Sequence, residues 1–434
     1  MGKYFVRNVV FSKKLILDIL FVLLCISLLY QFCVQLFQSY GYDSWPISEY
    51  LINYQGGFVR RGILGEILFF FASNINFNVE WAVKIICLIC LVFVSSFFIK
   101  SFLKKGYSLY LLPLCFFLGG MITSGSWVRK DFLMMSFFIV ILLIWNYNNK
   151  DVSLFIKLVL INLLLVFIIL THEVVVFFSL PILFLLFFDL YKNKKVFVAI
   201  VLSFLSLSPS ILAFLVALFM HGDQETAQTI WDSWQILFGQ ETSDVPFYSA
   251  IGAIGWTKQG AIKIHAMGNF LGVNGGILSS VYWCIVFPVV YYITTNTLFV
   301  FRKRMTDFTA DHKTMLSSIL LFQFLCLSPV FCILSCDWVR IIFCWIASSF
   351  AIFLIIPMST LEKLFPKKFI KLTNNINNQL CNLLSPTKTH LTFLMLFIGI
   401  SPAFFFINSA YESSMLFQVL RLISKSLAIV LKIS

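Results

Sequence analysis

Long, uninterrupted apolar runs dominate this chain and limit what it can fold into. About 20 consecutive apolar residues are enough to cross a bilayer as a helix, and the sequence contains many such stretches. Of its 434 residues, 60% are hydrophobic and only 12% are charged, whereas a soluble globular domain is about a quarter charged. The sequence therefore predicts a single all-α, polytopic integral membrane helical bundle over residues 1–434, with about 11 or 12 transmembrane helices.

The positions of the apolar runs predict where the spans lie and which loops are long. The tail at 412–434 forms either a twelfth span or an amphipathic surface helix. Two polar loops stand out, a first loop at 38–80 and the longest at 221–276. We expect spans at about 15–37, 81–101, 107–124, 132–147, 154–171, 174–190, 196–219, 277–301, 314–335, 341–358 and 391–408.

The net charge of +13 is distributed in a way that predicts orientation. In this layout, 21 of the 32 Lys and Arg residues lie on the side of the N-terminus and only eight on the opposite side. Positive charge is retained on the cytoplasmic side of membrane proteins, so we expect a cytoplasmic N-terminus and periplasmic loops at 38–80 and 221–276. Because the basic residues are spread over short loops rather than gathered in one patch, the sequence predicts no nucleic-acid partner.

Neither a metal site nor a cofactor site is indicated. The eleven cysteines lie mostly inside apolar runs, where cysteine behaves as a small hydrophobic residue. GxGxxG, a P-loop and HExxH are absent, and no second histidine or cysteine stands at zinc-ligand spacing near His172. We therefore expect no cofactor and no bound metal.

The segment 41–66, GYDSWPISEYLINYQGGFVRRGILGE, is unlike the apolar sequence around it. It combines acidic and aromatic residues with an arginine pair, Arg60 and Arg61, bracketed by glycines. Such a segment suits the binding of an anionic, sugar-bearing group at a membrane surface. The alternative is an interfacial helix whose arginines reach lipid headgroups and whose aromatics form a belt.

Three further segments carry charges at the same side of the predicted bundle. They are Trp127 to Asp131, His172 with Glu173, and Asp337 to Arg340. Arginine forks bind phosphate oxygens in pairs, so the arginines of these segments predict a clamp for a lipid-linked diphosphate. The alternative is structural, with Arg129 paired to Asp131 and Arg340 paired to Asp337 at the helix ends. The arginines of the predicted clamp are Arg60, Arg61, Arg129 and Arg340.

The THE motif at His172 and Glu173 lies between two apolar runs, where water is scarce. A carboxylate in such surroundings is expected to have a raised pKa and to accept a proton from a sugar hydroxyl. The alternative is a hydrogen-bonded polar pair that ends one helix and starts the next.

With NYQGGFVRRGILGE, THE and DWVR in view, the chain resembles polytopic proteins of bacterial surface-polysaccharide clusters, notably Wzy-type O-antigen and capsule polymerases. The resemblance implies a glycosyltransferase-type enzyme of lipopolysaccharide or capsule biosynthesis in the bacterial inner membrane. Such enzymes transfer a growing glycan from one undecaprenyl-diphosphate carrier to a new lipid-linked repeat unit, on the periplasmic face and without nucleotide sugars. A chain-length regulator and a flippase of the same pathway are the partner proteins that it implies.

The resemblance also implies roles for individual residues. Arg60 and Arg61 would lie near the donor diphosphate with Arg129 and Arg340 in support, and Glu173 or His172 would be the base. The expected catalytic residues are Glu173, His172 and Asp43. The expected substrate-binding residues are Arg60, Arg61, Arg129, Arg340, Asp337 and Trp127.

Two other functions fit the same pattern. A polyprenyl-phosphate-dependent glycosyltransferase of the GT-C class would place an acidic residue in the first outer loop, where Asp43 and Glu49 lie. A flippase or transporter would place charges and broken helices near the middle of the membrane.

Overall fold

A computed structural model of the chain describes residues 13–75, 77–147, 153–257, 259–260, 276–302, 310–335 and 337–399. Within these ranges the regular structure is helical and contains no strand, which confirms the predicted all-α class. The α-helices are α1 (Lys13–Phe37), α2 (Trp45–Leu51), α3 (Ile63–Asn74), α4 (Val79–Lys104), α5 (Leu118–Thr123), α6 (Asp131–Asn146), α7 (Leu154–Thr171), α8 (Val175–Leu190), α9 (Val196–Ser206), α10 (Ser208–Phe219), α11 (Gln224–Leu237), α12 (Gly276–Val300), α13 (Ala310–Pro329), α14 (Trp338–Ile355), α15 (Met358–Leu364), α16 (Lys367–Leu384) and α17 (Lys388–Gly399).

Several of these helices are long and apolar enough to cross a membrane. By length and composition there are 5 among the described residues, or 6 if the bent pair α9 and α10 counts as one span. Shorter apolar helices accompany them, namely α3, α6, α8, the part of α12 from Cys284 to Val300, and α17. The chain is a multi-pass membrane protein with a helical bundle.

Most of the predicted spans correspond to a helix, and two of them are interrupted. The span predicted at 196–219 bends by 61° between α9 and α10. Pro209 lies in the first turn of α10, where it has no N–H to donate and its ring prevents the helix from continuing straight. The span predicted at 314–335 ends in a π-helical turn, Val330–Leu334. The predicted tail element at 412–434 lies outside the described residues.

The span predicted at 107–124 is wrong as a continuous helix. A 3₁₀ turn at Leu109–Leu111 and the short α5 are its only helical parts. The segment nevertheless runs along the length of α14. The Tyr107 ring stacks on Phe353 near the end of that helix, and Gly120 lies against Val339 at its start.

Proline and close backbone contacts break this crossing. Pro113 cannot donate to a helical ladder, and a Cβ on Gly119 would lie 1.9 Å from the Pro113 carbonyl oxygen. A Cβ on Gly120 would lie 1.8 Å from the Cys115 carbonyl oxygen. The Cys115 amide donates at 2.8 Å to the Gly399 carbonyl at the end of α17. Because the segment is enclosed by protein, irregular backbone is tolerated at this depth.

The two long loops pack against each other over one end of the bundle. The Trp234 indole N–H of α11 donates to the Leu51 carbonyl at 2.6 Å, and the Asn53 amide donates to Ser233 at 3.0 Å. The Ala250 N–H donates to the Ser48 hydroxyl at 2.9 Å. We call residues 38–62 together with 221–256 the cap. The cap encloses the helix ends that carry the charged segments.

Candidate functional site

Charged residues from four distant segments meet beneath the cap. Helices α6 and α14 begin there, α7 ends there, and α2 contributes Glu49. The structure brings together residues of the first loop, of the 127–131 segment, of the THE motif and of the DWVR motif. Their ion pairs form two connected groups, which we call the buried chain and the arginine lip. The buried chain is Asp131, Arg340, Asp337, Arg129, Glu49 and His172, and the arginine lip is Arg60, Arg61, Glu173 and His221.

The buried chain alternates acidic and basic groups. Nε of Arg340 lies 2.6 Å from Oδ2 of Asp131, and its Nη1 lies 3.1 Å from Oδ2 of Asp337. The same Asp337 oxygen lies 3.6 Å from Nη1 of Arg129. Nε of Arg129 lies 2.6 Å from Oε2 of Glu49. Each arginine therefore contacts two carboxylates, and the two arginines share Asp337.

These pairs differ in part from the ones that the sequence suggested. Arg340 does contact Asp337, as the structural alternative proposed, but the partners of Arg129 are Glu49 and Asp337 rather than Asp131. The side chains of Arg129 and Arg340 are only 4% and 9% exposed. Both guanidinium groups are thus enclosed and paired within the protein. Their role in binding substrate remains a prediction.

His172 ends the buried chain. Its Nε2 lies 3.3 Å from Oε1 of Glu49, and its Nδ1 accepts the Val174 N–H at 3.4 Å. Burial, with the nearby positive charge of Arg61, lowers the pKa of His172 to about 4, so the ring is neutral at physiological pH. Both ring nitrogens face groups of the protein itself, and the role of His172 as a base remains a prediction.

Glu49 is fully buried at the centre of this arrangement. Burial raises the pKa of a carboxyl group, but the Arg129 guanidinium and the contact with His172 outweigh burial and hold the pKa of Glu49 well below its usual value. The Arg129 guanidinium also lies over the Trp45 ring, 5.9 Å from its centre. Glu49 is therefore an ionised anchor for two of the four segments.

The arginine lip is more open than the buried chain. Arg61 forms a forked pair with Glu173, with Nε at 2.8 Å from Oε2 and Nη2 at 2.6 Å from Oε1. Arg60 joins it with Nη1 at 3.4 Å from the same Oε1. The side chains of Arg60, Arg61 and Glu173 are 28%, 20% and 15% exposed. Nη2 of Arg60 also lies 3.2 Å from Nε2 of His221.

The backbone at Arg61 is unusual. Its φ of 67° lies in the left-handed region, which a residue with a Cβ rarely adopts and which commonly marks a functional site. The N–H of the neighbouring Arg60 donates at 2.9 Å to the Met220 carbonyl at the end of α10. The strained turn thus directs two adjacent arginines toward one carboxylate.

The expectation of a raised pKa at Glu173 is wrong. Burial does act to raise the pKa, but the Arg61 and Arg60 guanidinium groups outweigh it and hold the pKa of Glu173 well below its usual value. The sequence showed apolar neighbours on both sides of Glu173 but not the two arginines, which are 112 and 113 residues away. With both arginines in place, Glu173 is an ionised counter-charge.

Lys130 lies fully buried between the two groups. Its Nζ donates to the Thr171 carbonyl at 3.1 Å and to the Arg61 carbonyl at 3.5 Å, and it lies 5.3 Å from the centre of the Tyr50 ring. Burial lowers the pKa of Lys130 to about 8, although Glu49 opposes this shift.

Two of the residues predicted from the sequence lie apart from these groups. Asp43 is exposed in the turn before α2 and forms no ion pair with the described residues of either group. Trp127 is completely buried, and its ring packs edge-on against Phe32 with ring centres 4.9 Å apart. The catalytic role of Asp43 and the substrate-binding role of Trp127 remain predictions.

Four residues of the site were not among the predicted site residues, namely Glu49, Lys130, Asp131 and His221. Glu49, Lys130 and Asp131 do lie in segments that the sequence singled out. His221 is the first residue of the predicted loop 221–276, on the same predicted side as the first loop, and this was the signal that could have identified it.

An open groove of about 400 Å³ lies between the first loop and the start of α11. Its lining is polar, and one lining residue, Asp223, stands two residues after His221 of the arginine lip. Within the described residues, no three or more His, Cys, Asp or Glu side chains are grouped so as to hold a metal ion. The residues that line the groove are Gln55, Gly56, Asp223, Glu225, Thr226 and Thr229.

No protein-family model matches this chain, and no curated protein or solved structure shows significant similarity to it.

Proposed function

We propose that this protein polymerises undecaprenyl-diphosphate-linked oligosaccharide repeat units into an O-antigen or capsule polysaccharide. The reaction takes place on the periplasmic face of the bacterial inner membrane, with the N-terminus in the cytoplasm. The observation that supports this proposal best is the arginine lip, where Arg60 and Arg61 share the single carboxylate of Glu173 and remain partly exposed. A lip with one positive charge in excess, near a polar groove, matches an anionic ligand that carries hydroxyl groups.

Charge balance favours an anion at this site. The two groups and Lys130 together contain five cationic side chains and four carboxylates, with His172 neutral. Glu49, Asp131 and Asp337 are paired with Arg129 and Arg340, which leaves the buried chain with one negative charge in excess. The lip and Lys130 each carry one positive charge in excess. A guanidinium fork binds two phosphate oxygens at once, and two adjacent forks fit the several oxygens of a diphosphate.

Binding of the diphosphate changes the state of Glu173. In the free protein the two arginines keep this carboxylate ionised and weakly basic. When phosphate oxygens replace it as the partner of Arg60 and Arg61, the carboxylate loses the charges that lowered its pKa while burial continues to raise it. Glu173 then becomes a competent base for a sugar hydroxyl. Substrate binding thus prepares the base.

The transfer step follows from these positions. The acceptor hydroxyl gives its proton to Glu173, and its oxygen bonds to the anomeric carbon of the donor glycan. The bond between that carbon and the diphosphate oxygen breaks, and undecaprenyl diphosphate leaves with the electron pair. Arg60 and Arg61 stabilise the charge that develops on the leaving diphosphate. The groove between the first loop and α11 provides amide, hydroxyl and carboxylate groups for sugar hydroxyls.

The buried chain supports this site rather than contacting the diphosphate. Arg129 and Arg340 bind the ends of α6 and α14 to α2, which carries Glu49. Breaking a buried ion pair leaves an uncompensated charge and is strongly destabilising. The chain therefore keeps the first loop fixed above the bundle.

The direct test is the surface-polysaccharide pattern of a strain that lacks the gene. The proposal predicts that the ladder on a gel collapses to lipid A-core carrying one repeat unit, and that the wild-type gene restores the ladder. Loss of even that single unit would contradict the proposal and indicate an earlier glycosyltransferase or a flippase. An unchanged ladder would remove the protein from this pathway.

One observation favours a second candidate, a polyprenyl-phosphate-dependent glycosyltransferase of the GT-C class. Glu49, an acidic residue of the first loop after the first span, lies at the centre of the charged site. Such an enzyme would add a single sugar, so its loss would remove or shorten the single repeat unit and would not leave it complete. The same gel therefore separates the two candidates.

A further inference from the structure

Lys130 differs from the other cations of the site in its partners. Its side chain is completely buried, yet within the described residues no carboxylate lies within ion-pair distance of its Nζ. Its acceptors are two backbone carbonyl oxygens and the face of an aromatic ring. A buried ammonium with carbonyl partners is held for its geometry, because taking its charge out of water is costly.

The two carbonyls belong to the two segments that form the fork between Arg61 and Glu173. Arg61 carries the fork and has the left-handed backbone, with a φ of 67°. Thr171 is the last residue of α7, immediately before His172 and Glu173. The last carbonyls of a helix have no partner within it, so an ammonium at this position satisfies Thr171 and attaches the helix end to the strained turn.

We propose that Lys130 is a positioning residue that fastens the Arg61 turn to the end of α7, and so keeps Arg61 and Glu173 in forked contact. Without it, the left-handed conformation at Arg61 loses a backbone contact that opposes its strain. The turn then relaxes, and the two arginines no longer face one point. The consequence of this fastening for ligand binding rests on the proposed diphosphate site.

The surroundings of Lys130 make this fastening sensitive to alkaline pH. Glu49 and Tyr50 face it from α2, Arg61 from the turn before α3, Glu173 from the corner between α7 and α8, and Arg129 from its own segment. With its pKa lowered to about 8 by burial, the side chain loses its charge as the pH rises from 7 to 9. A neutral amine still donates, but its hydrogen bonds to carbonyls are weaker than those of an ammonium.

A second buried lysine provides a matched control. Lys84 is 1% exposed, and its Nζ donates to the Gln38 carbonyl at 2.7 Å and lies 2.8 Å from Oε1 of Glu80. It joins the end of α1 to the start of α4 and contacts neither segment of the lip. Lys84→Met removes a buried ammonium without touching the proposed fastening.

The test is amide hydrogen exchange of the full-length protein in detergent, for wild type, Lys130→Met and Lys84→Met. We expect Lys130→Met to raise exchange about tenfold or more in peptides covering 59–64 and 171–175, and Lys84→Met to raise it only around 38–42 and 79–84. Unchanged exchange in the two lip segments would overturn the proposal. So would a uniform rise in both variants, which reports general loosening.

Lys130→Arg keeps the charge and provides a second measurement that does not depend on Lys130→Met being folded. Binding of inorganic pyrophosphate to wild type and to Lys130→Arg is measured at pH 7 and at pH 9, and the titration of the ligand affects both proteins equally. Between pH 7 and pH 9 we expect the affinity of wild type to fall by a factor about three times or more larger than the factor for Lys130→Arg, because only the lysine loses its charge. Equal losses would overturn the pH dependence. If wild type binds no pyrophosphate at either pH, the proposed diphosphate site fails while the exchange result still decides the role of Lys130.

Discussion

The Arg61 guanidinium and the Glu173 carboxylate form a forked ion pair, with contacts of 2.8 and 2.6 Å, between a strained turn and a helix corner. The pair is partly exposed, whereas the pairs of Arg129 with Glu49 and of Arg340 with Asp131 are enclosed. This difference in exposure separates a charge that a ligand can reach from charges that hold the bundle together. The proposed roles of the two arginine pairs follow from it.

Arg61→Lys is expected to reduce polymer formation about tenfold or more although the charge is kept, because lysine is a point charge and cannot bind two oxygens in parallel. Arg60→Lys is expected to have a smaller effect, since Arg60 makes a single, longer contact with Glu173. The measurement is the intensity of the polysaccharide ladder in a complemented deletion strain. Arg302→Lys, near Tyr107 at the other end of the bundle, is the control. A full ladder from Arg61→Lys would contradict the role of the fork.

Glu173→Gln separates binding from turnover. Without the carboxylate, the two arginines lose their counter-charge, so we expect inorganic pyrophosphate to bind about threefold or more tightly. Polymer formation should fall about a hundredfold or more, because the base is gone. Calorimetry on the purified protein and the ladder in cells provide the two readouts. A variant with a normal ladder would show that Glu173 is not the base.

Glu49→Gln is expected to lower the free energy of unfolding by about 3 to 5 kcal/mol, since Arg129 is then buried without its nearest carboxylate. Thermal unfolding in detergent measures the loss. The double variant Glu49→Gln with Arg129→Met removes both charges and should recover a large part of the stability. If the two single losses simply add in the double variant, the pair is not coupled and the buried chain is not a unit.

The lowered pKa of His172 predicts a loss of stability in mildly acidic solution. The ring has a pKa of about 4 in the folded protein and 6.5 ordinarily, so the unfolded chain takes up the proton first. Stability from this group is complete above pH 6.5 and falls as the pH drops toward 4, by at most about 1.4 kcal/mol per pH unit. The pKa values of Glu49 and Glu173 are lowered from their ordinary value of 4.5. These two groups therefore lose their contribution to stability only when the pH falls below about 4.5.

Comparing His172→Gln with wild type isolates this effect. The variant is expected to show a flatter dependence of its unfolding temperature between pH 6.5 and 4.5, with His390→Gln, an exposed histidine, as the control. Parallel curves for wild type and His172→Gln would contradict a buried neutral ring.

Reporter fusions test the orientation and the bent helix pair together. A reporter after Lys194 should be cytoplasmic and one after Gly222 periplasmic, because α9 and α10 lie between them. If the two reporters lie in opposite compartments, α9 and α10 form one bent span, and if they lie in the same compartment, the pair forms a re-entrant loop. A periplasmic reporter after Lys194 and a cytoplasmic reporter after Gly222 would place the charged site on the cytoplasmic side and overturn the proposed function.

Helix positions could be predicted well where a long apolar run ends in polar residues. The span expected at 154–171 has the bounds of α7, because Ser153 caps its start and His172 follows its end. The positions of the spans also predicted that the charged segments lie at one end of the bundle, since each of these segments follows or precedes a span that crosses the same membrane. The crossing at 107–124 was predicted as a continuous helix because its irregular backbone depends on close contacts of Gly119 and Gly120, which an apolar count does not include.

Pairing among the charges could not be read from spacing. Asp131 stands two residues from Arg129 but begins α6 and contacts Arg340, 209 residues away. Glu49, the actual partner of Arg129, is 80 residues away. Charges at helix ends have several oppositely charged neighbours within reach, and the choice among them depends on helix packing.

The irregular crossing has a consequence for biogenesis. A helix that enters lipid has already paired its own backbone groups. The Cys115 amide instead donates to the Gly399 carbonyl, which is synthesised almost three hundred residues later. The 107–124 segment therefore has to stay sheltered by protein until α17 has been made. Since this segment leads directly into Arg129 and Lys130, the charged site is among the last parts of the molecule to mature. Truncations that spare every residue of the charged site but remove α17 should therefore leave the site unformed.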